Sequence, residues 1–151
     1  MPKIISCYTC RFRNMALWSL ILLFSGSMMA EENVVAVVHY GTPVTTPISR
    51  IRLSSIFSMR LTTWSDGSAI KVFVLPDDNP LNSTFCKQIL KLFPHQLRYA
   101  WDRLVYSGTG QAPVILSSTQ EMENKIANTP GAIGYLPKEK KDDNVAILLV
   151  E

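Results

Sequence analysis

Residues 70–90 read IKVFVLPDDNPLNSTFCKQIL. Ile70 to Leu75 is a short apolar run with β-branched residues, the pattern of a buried strand, and Pro76 ends it. Asp77 and Asp78 suit a turn and a cap. Asn79 is a good helix cap, and Pro80 is welcome in a first helical turn because its missing N–H would be unpaired there anyway. Leu81, Phe85, Ile89 and Leu92 then recur at helical spacing and mark a buried face. A strand delivered directly into a helix is the repeating unit of α/β domains.

The same alternation extends in both directions. Upstream, Val34 to Val38 reads as a buried strand, broken by Gly41, Pro43 and Pro47. Ser49 can cap a helix in which Ile51, Ile56 and Phe57 recur at roughly helical spacing. Asp66-Gly67 is a turn. Downstream, Pro94 opens a helix with Leu97, Trp101 and Leu104 on one side, and Ser107 to Gly110 forms a loop. Pro113 to Leu116 is a short strand. Ser117 or Ser118 begins a helix carrying Met122 and Ile126, which Pro130-Gly131 closes. Ala132 to Leu136 and Val145 to Val150 are the last strands. This order predicts an α/β domain with a central, mostly parallel sheet flanked by helices. There is no internal repeat and no low-complexity segment.

The first thirty residues read differently. Lys3, Arg11 and Arg13 lead, with no acidic residue before Glu31. An apolar run of about ten residues follows from Met15 to Phe24, then Ser25, Gly26 and Ser27, with Ala30 just before Glu31. Positive, apolar, small is the layout of a secretory signal, and the run is half the length a bilayer-spanning helix needs. The expectation is a signal peptide over 1–30, a single domain over 31–151, and a periplasmic location. The whole chain has 15 basic and 12 acidic residues. The three basic residues lost with the signal leave 12 against 12, so the mature charge is near zero. That removes the basic stripe expected of a nucleic-acid binder, and the mixed run from Lys138 to Asp143 reads as a solvated turn.

Catalytic chemistry has little to work with. Cys7 and Cys10 lie inside the signal, leaving Cys86 among apolar residues as a buried, inert thiol. His39 and His95 are far apart in sequence. No H-E-x-x-H, paired C-x-x-C or G-x-S-x-G appears, so no metal, cofactor or nucleophile–base pair is expected and the domain reads as a non-enzyme. Architecture says more. Helices begin near Ser49, Asn79 and Ser118, each just after a strand, and helix amino-termini at the carboxyl edge of an α/β sheet favour anions. Ser107 to Gly110 also resembles a glycine-rich phosphate loop, without the P-loop lysine or spacing.

Several segments together resemble the solute-binding proteins of phosphate ABC transporters. They are Val35 to Val38 with Pro43-Val44, Ile48-Ser49, Leu53, Ile56-Phe57 and Trp64-Ser-Asp-Gly67. Trp101 to Leu104, Gly108-x-Gly110 and the specific Pro130-Gly-Ala-Ile-Gly-Tyr135 complete the set. The match spans about residues 34–150. It implies a type 2 periplasmic-binding-protein-like fold, here as a single lobe, since full-length members have two lobes and about twice this length. It further implies binding of a small anion such as phosphate, at Asn79, Ser83 and Thr84 with Ser107, Gly108, Thr109 and Gly110. Partners would be a membrane transporter or a second copy in a homodimer. The chain departs from the family at Asn82 and Thr109, where its short branch often has arginine, and at Met59, where glycine is common. Losing two guanidinium groups removes the bidentate clamps that phosphate sites rely on. The alternative is an interaction module that kept the fold and lost the ligand, with Trp64, Tyr99 or Tyr106 marking the partner surface.

Overall fold

The computed structural model describes residues 33–44, 47–139 and 144–151. The proposed signal over 1–30 and residues 140–143, the last four of the charged run, lie outside the described residues. Five strands form one sheet: β1 (Val34–His39), β2 (Lys71–Val74), β3 (Val114–Ile115), β4 (Ala132–Pro137) and β5 (Val145–Leu148). Their spatial order is β3-β2-β4-β1-β5. β2 pairs in parallel with both β3 and β4, whereas β1 is antiparallel to β4 and β5. Four strands therefore share one direction, and β1 alone runs against them. The mostly parallel sheet holds, with a reversed strand inside it.

The helices are α1 (Arg50–Phe57), α2 (Pro80–Phe85), α3 (Pro94–Tyr106) and α4 (Thr119–Ala127). Each of the three anticipated caps is made. Ser49 Oγ accepts from Arg52 N, Asn79 Oδ1 from Leu81 N, and Ser118 Oγ from Glu121 N. The buried faces differ from the sequence pattern in two places. In α1 the buried residues are Leu53, Ile56 and Phe57, while Ile51 is 81 % exposed. At 100° per residue Ile51 lies opposite the centre of the other three. Beyond Phe85, α2 continues as a π-helical turn, Cys86–Leu90. The wider turn moves the stripe by one residue, so Leu90 is buried and Ile89 is only partly so.

The core fills both faces of the sheet. Phe57, Phe85 and Tyr135 cluster on one face, with Phe85 stacked on Tyr135 at a centroid distance of 4.8 Å from Phe57 and 4.2 Å from Tyr135. On the other face Met122 and Ile126 of α4 press onto Gly134, where an added Cβ would stand 2.7 Å from Ile126 Cδ1. Both buried tryptophans have hydrogen-bond partners: Trp64 Nε1 donates to Gly131 O and Trp101 Nε1 to Phe57 O. Trp64 is thus a core residue and leaves the set of exposed aromatics. Met59 has a φ of 59°, the left-handed region that favours glycine. It sits just past the end of α1, which explains why a glycine suits that position.

Candidate functional site

The carboxyl edge of β2 and β3 is where the fold concentrates helix starts. Leu116 N donates to Val74 O, so the ends of the two strands lie side by side. One chain leaves through Leu75 and Pro76 into α2, the other through Ser117 into α4. Both openings are built largely from side chains that satisfy the backbone locally.

At α2, Pro80 offers no N–H, Asn79 Oδ1 takes the Leu81 N–H at 2.9 Å, and Asn79 O takes that of Ser83. Ser83 and Thr84 come four and five residues after the cap, a full turn inside the helix. Asn82, standing where the resemblance places an arginine, is 3 % exposed. Its Nδ2 donates to Pro76 O, and its Oδ1 accepts from the Tyr135 hydroxyl at 2.9 Å. The same hydroxyl accepts from Leu75 N at 2.8 Å. This network fixes the exit of β2 against α2, and burial pushes the Tyr135 phenol upward in pKa. Asp77 pairs with Arg98 Nε at 2.8 Å, and Asp78 is exposed beside it.

At α4, the Glu121 carboxylate accepts from Ser117 N at 2.8 Å and from Ser117 Oγ at 2.7 Å. These bonds, the hydroxyl first, hold its pKa below the usual carboxylate range. The chain's own carboxylate therefore occupies the loop that opens α4. The S-x-x-E spacing of Ser118 and Glu121 is the sequence signal for a capping box, and here the carboxylate reaches Ser117 N, one residue before the cap.

Ser107 to Gly110 lies elsewhere. Ser107 Oγ donates to Arg103 O and bonds to Thr109 Oγ1, while Thr109 N and Gly110 N reach Leu104 O. Gly108 has a φ of 68°. The segment is the carboxyl cap of α3, where left-handed glycine closes a helix and the dipole end is negative. It then leads into the amino end of β3, whereas Asn79 follows the carboxyl end of β2, its parallel neighbour. The two groups of candidate residues thus sit at opposite ends of that ladder.

Other reactive groups are dispersed. His39 Nδ1 accepts from Gly41 N, and His95 stacks on Phe93. Among the described residues, no three of His, Cys, Asp and Glu gather to hold a metal ion. No described helix is long and apolar enough to cross a membrane. Cys86 is buried, and desolvation, with the nearby Asp77 charge, pushes its thiol up to about 12. Iodoacetamide at pH 8 is expected to leave Cys86 unmodified in the folded protein and to label it fully in denaturant, as read by mass spectrometry. Rapid labelling without denaturant would contradict its placement.

Known structures share this fold. A protein described as a phosphate ABC transporter substrate-binding protein from Clostridium perfringens, solved with bound phosphate, superposes with a TM-score of 0.62 at 17 % identity. It covers 78 % of this chain and 44 % of its own. PstS from Borrelia burgdorferi gives 0.59 at 19 % identity, covering 78 % and 47 %. An ABC-type phosphate transport receptor from Vibrio cholerae gives 0.52 at 16 %, covering 78 % and 45 %. The chain thus spans less than half the length of these neighbours. No protein-family model and no curated protein matches it.

Proposed function

We propose that residues 31–151 form an exported, non-enzymatic interaction module that keeps the fold of a solute-binding protein without holding phosphate tightly. The supporting observation is the state of the carboxyl edge. Asn79 caps α2, Glu121 fills the loop at α4, and Asn82 is turned inward where a clamp would stand. Asp77, Asp78 and Glu121 add negative charge to this edge, where Arg98 is tied to Asp77 and the charge of Lys125 acts on Glu121 from the next turn of α4. An incoming anion would have to displace a covalently tethered carboxylate and face two more. Export rests on the positive, apolar, small order of residues 1–30.

The second reading is a small-anion binder, phosphate first, that delivers to a transporter or completes its site as a homodimer. The neighbour solved with phosphate favours it. Calorimetry and thermal shift with phosphate, sulfate and carboxylates separate the two. The module reading expects flat titrations. A ligand at 100 times its Kd would stabilise the fold by about 2.7 kcal/mol. A midpoint rise of that kind, abolished by Ser83→Ala or Thr84→Ala, would establish the anion reading instead.

A further inference from the structure

On the flank of the domain, α1 and α3 enclose a groove made of two adjoining clefts of about 440 and 490 Å3, which share Ser58, Arg60, Gln96 and Ala100. Its chemistry is one-sided. The charged residues lining it are Arg50, Arg60 and Arg103, and no carboxylate lines either cleft. Among the described residues the ion pair is Arg98 with Asp77, so these three guanidinium groups have no carboxylate partner there. α3 presents Gln96, Ala100, Arg103 and Ser107 at i, i+4, i+7 and i+11, a single helical face. Asp102 falls about 100° around the helix from Arg103, away from the groove.

Between the charges the lining is mixed, with Gln96, Ser107 and Thr109 beside apolar side chains. Half-buried Leu92, Ala100 and Leu104 give the floor its apolar surface, over Leu90 and Leu97, which are closed into the core beneath. The α1 wall is low, built from Ser54, Ser55 and Ser58. Their hydroxyls are already spent on Leu90 O, Ile51 O and Ser55 O. Small, internally satisfied side chains let another backbone approach closely and ask for no polar partner. At the rim stand Ile51 and Tyr99, 81 % and 73 % exposed. An exposed Ile on a helix whose other apolar residues are buried is a feature the fold does not use.

We infer that this groove docks an acidic amphipathic segment of a partner protein, with its apolar ridge on the floor and its carboxylates against Arg50, Arg60 and Arg103. Thirteen-residue α3 is about 20 Å long, enough to hold two to three turns of a partner helix. This rests on the interaction-module reading and adds the surface and the partner's chemistry. The two fail separately. Phosphate binding at the carboxyl edge would defeat the module reading, whereas flat phosphate titrations with an inert groove would move the partner surface elsewhere.

The test is selection of a random dodecapeptide display library on residues 31–151 and on the Arg60→Glu, Arg103→Glu double variant. Circular dichroism and unfolding midpoints confirm that both are folded, as substitutions at two exposed positions should allow. The expected result is enrichment of peptides with Leu, Ile or Phe at i and i+3 or i+4, flanked by Asp or Glu. Resynthesised peptides should bind the double variant at least about tenfold more weakly and lose affinity with added salt. Ile51→Asp should weaken them as well. No enrichment, enrichment without acidic residues, or equal binding to the double variant would overturn the inference. So would cosedimentation with phosphatidylglycerol vesicles through the same arginines without peptide binding, which would make the groove a membrane contact.

Discussion

Gly131→Ala is expected to destabilise the domain by about 2–5 kcal/mol, the largest effect foreseen for any single methyl added to this chain. Gly131 has a φ of 76°, which an L side chain adopts at a cost of roughly 1–2 kcal/mol. An added Cβ would also lie 2.4 Å from Ala69 O, a backbone atom that cannot rotate away. The carbonyl of Gly131 meanwhile accepts from both Trp64 Nε1 and Lys71 N, so moving the backbone strains two anchors. Gly67→Ala is the control. Gly67 has a φ of 85° but nothing within 4 Å of its would-be Cβ, so its cost should stay near 1 kcal/mol. Urea unfolding of the two variants separates conformational strain from collision, and equal losses would contradict the packing described.

Tyr135→Phe is expected to cost about 2–4 kcal/mol, although the ring and its stacking on Phe85 are retained. The hydroxyl bridges Leu75 N and Asn82 Oδ1 inside the core. Its removal strands the buried Leu75 N–H and leaves Asn82 Oδ1 with only the weak thiol donor of Cys86. Asn82→Ala in the Tyr135→Phe background should then cost less than Asn82→Ala alone, because the partner is already gone. Additive losses in this double-mutant cycle, or a Tyr135→Phe loss below about 0.5 kcal/mol, would show that the network does not anchor the β2 exit.

These two residues belong to the Pro130 to Tyr135 segment, and both act structurally in the fold. That clarifies what sequence could reveal. The order of elements was legible because its punctuation is local. Pro76, Asn79-Pro80, Ser118 and Pro130-Gly131 each carry their instruction within a few residues. The reversed direction of β1 was not legible, since a run such as Val34 to Val38 looks the same in either sense. The shift from Ile89 to Leu90 needed the π-turn, which no spacing rule announces. At the candidate site, Asn79 was read correctly as a cap. Ser107 to Gly110 shows the opposite difficulty, because serine, threonine and glycine in that order serve a phosphate loop and a helix carboxyl cap equally well. Asn82 and Glu121 gained their meaning only from what they touch. A buried amide and a tethered carboxylate look like ordinary polar residues until Tyr135 and Ser117 are placed beside them.

The most direct test of the account is a phosphate titration followed residue by residue in the amide spectrum of 15N-labelled residues 31–151. With the helix openings already held by Asn79 and Glu121, millimolar phosphate should produce no saturable shifts at Leu81, Asn82, Ser83 or Ser117. Saturable shifts confined to those amides would show that the carboxyl edge is an open anion site and would contradict the account.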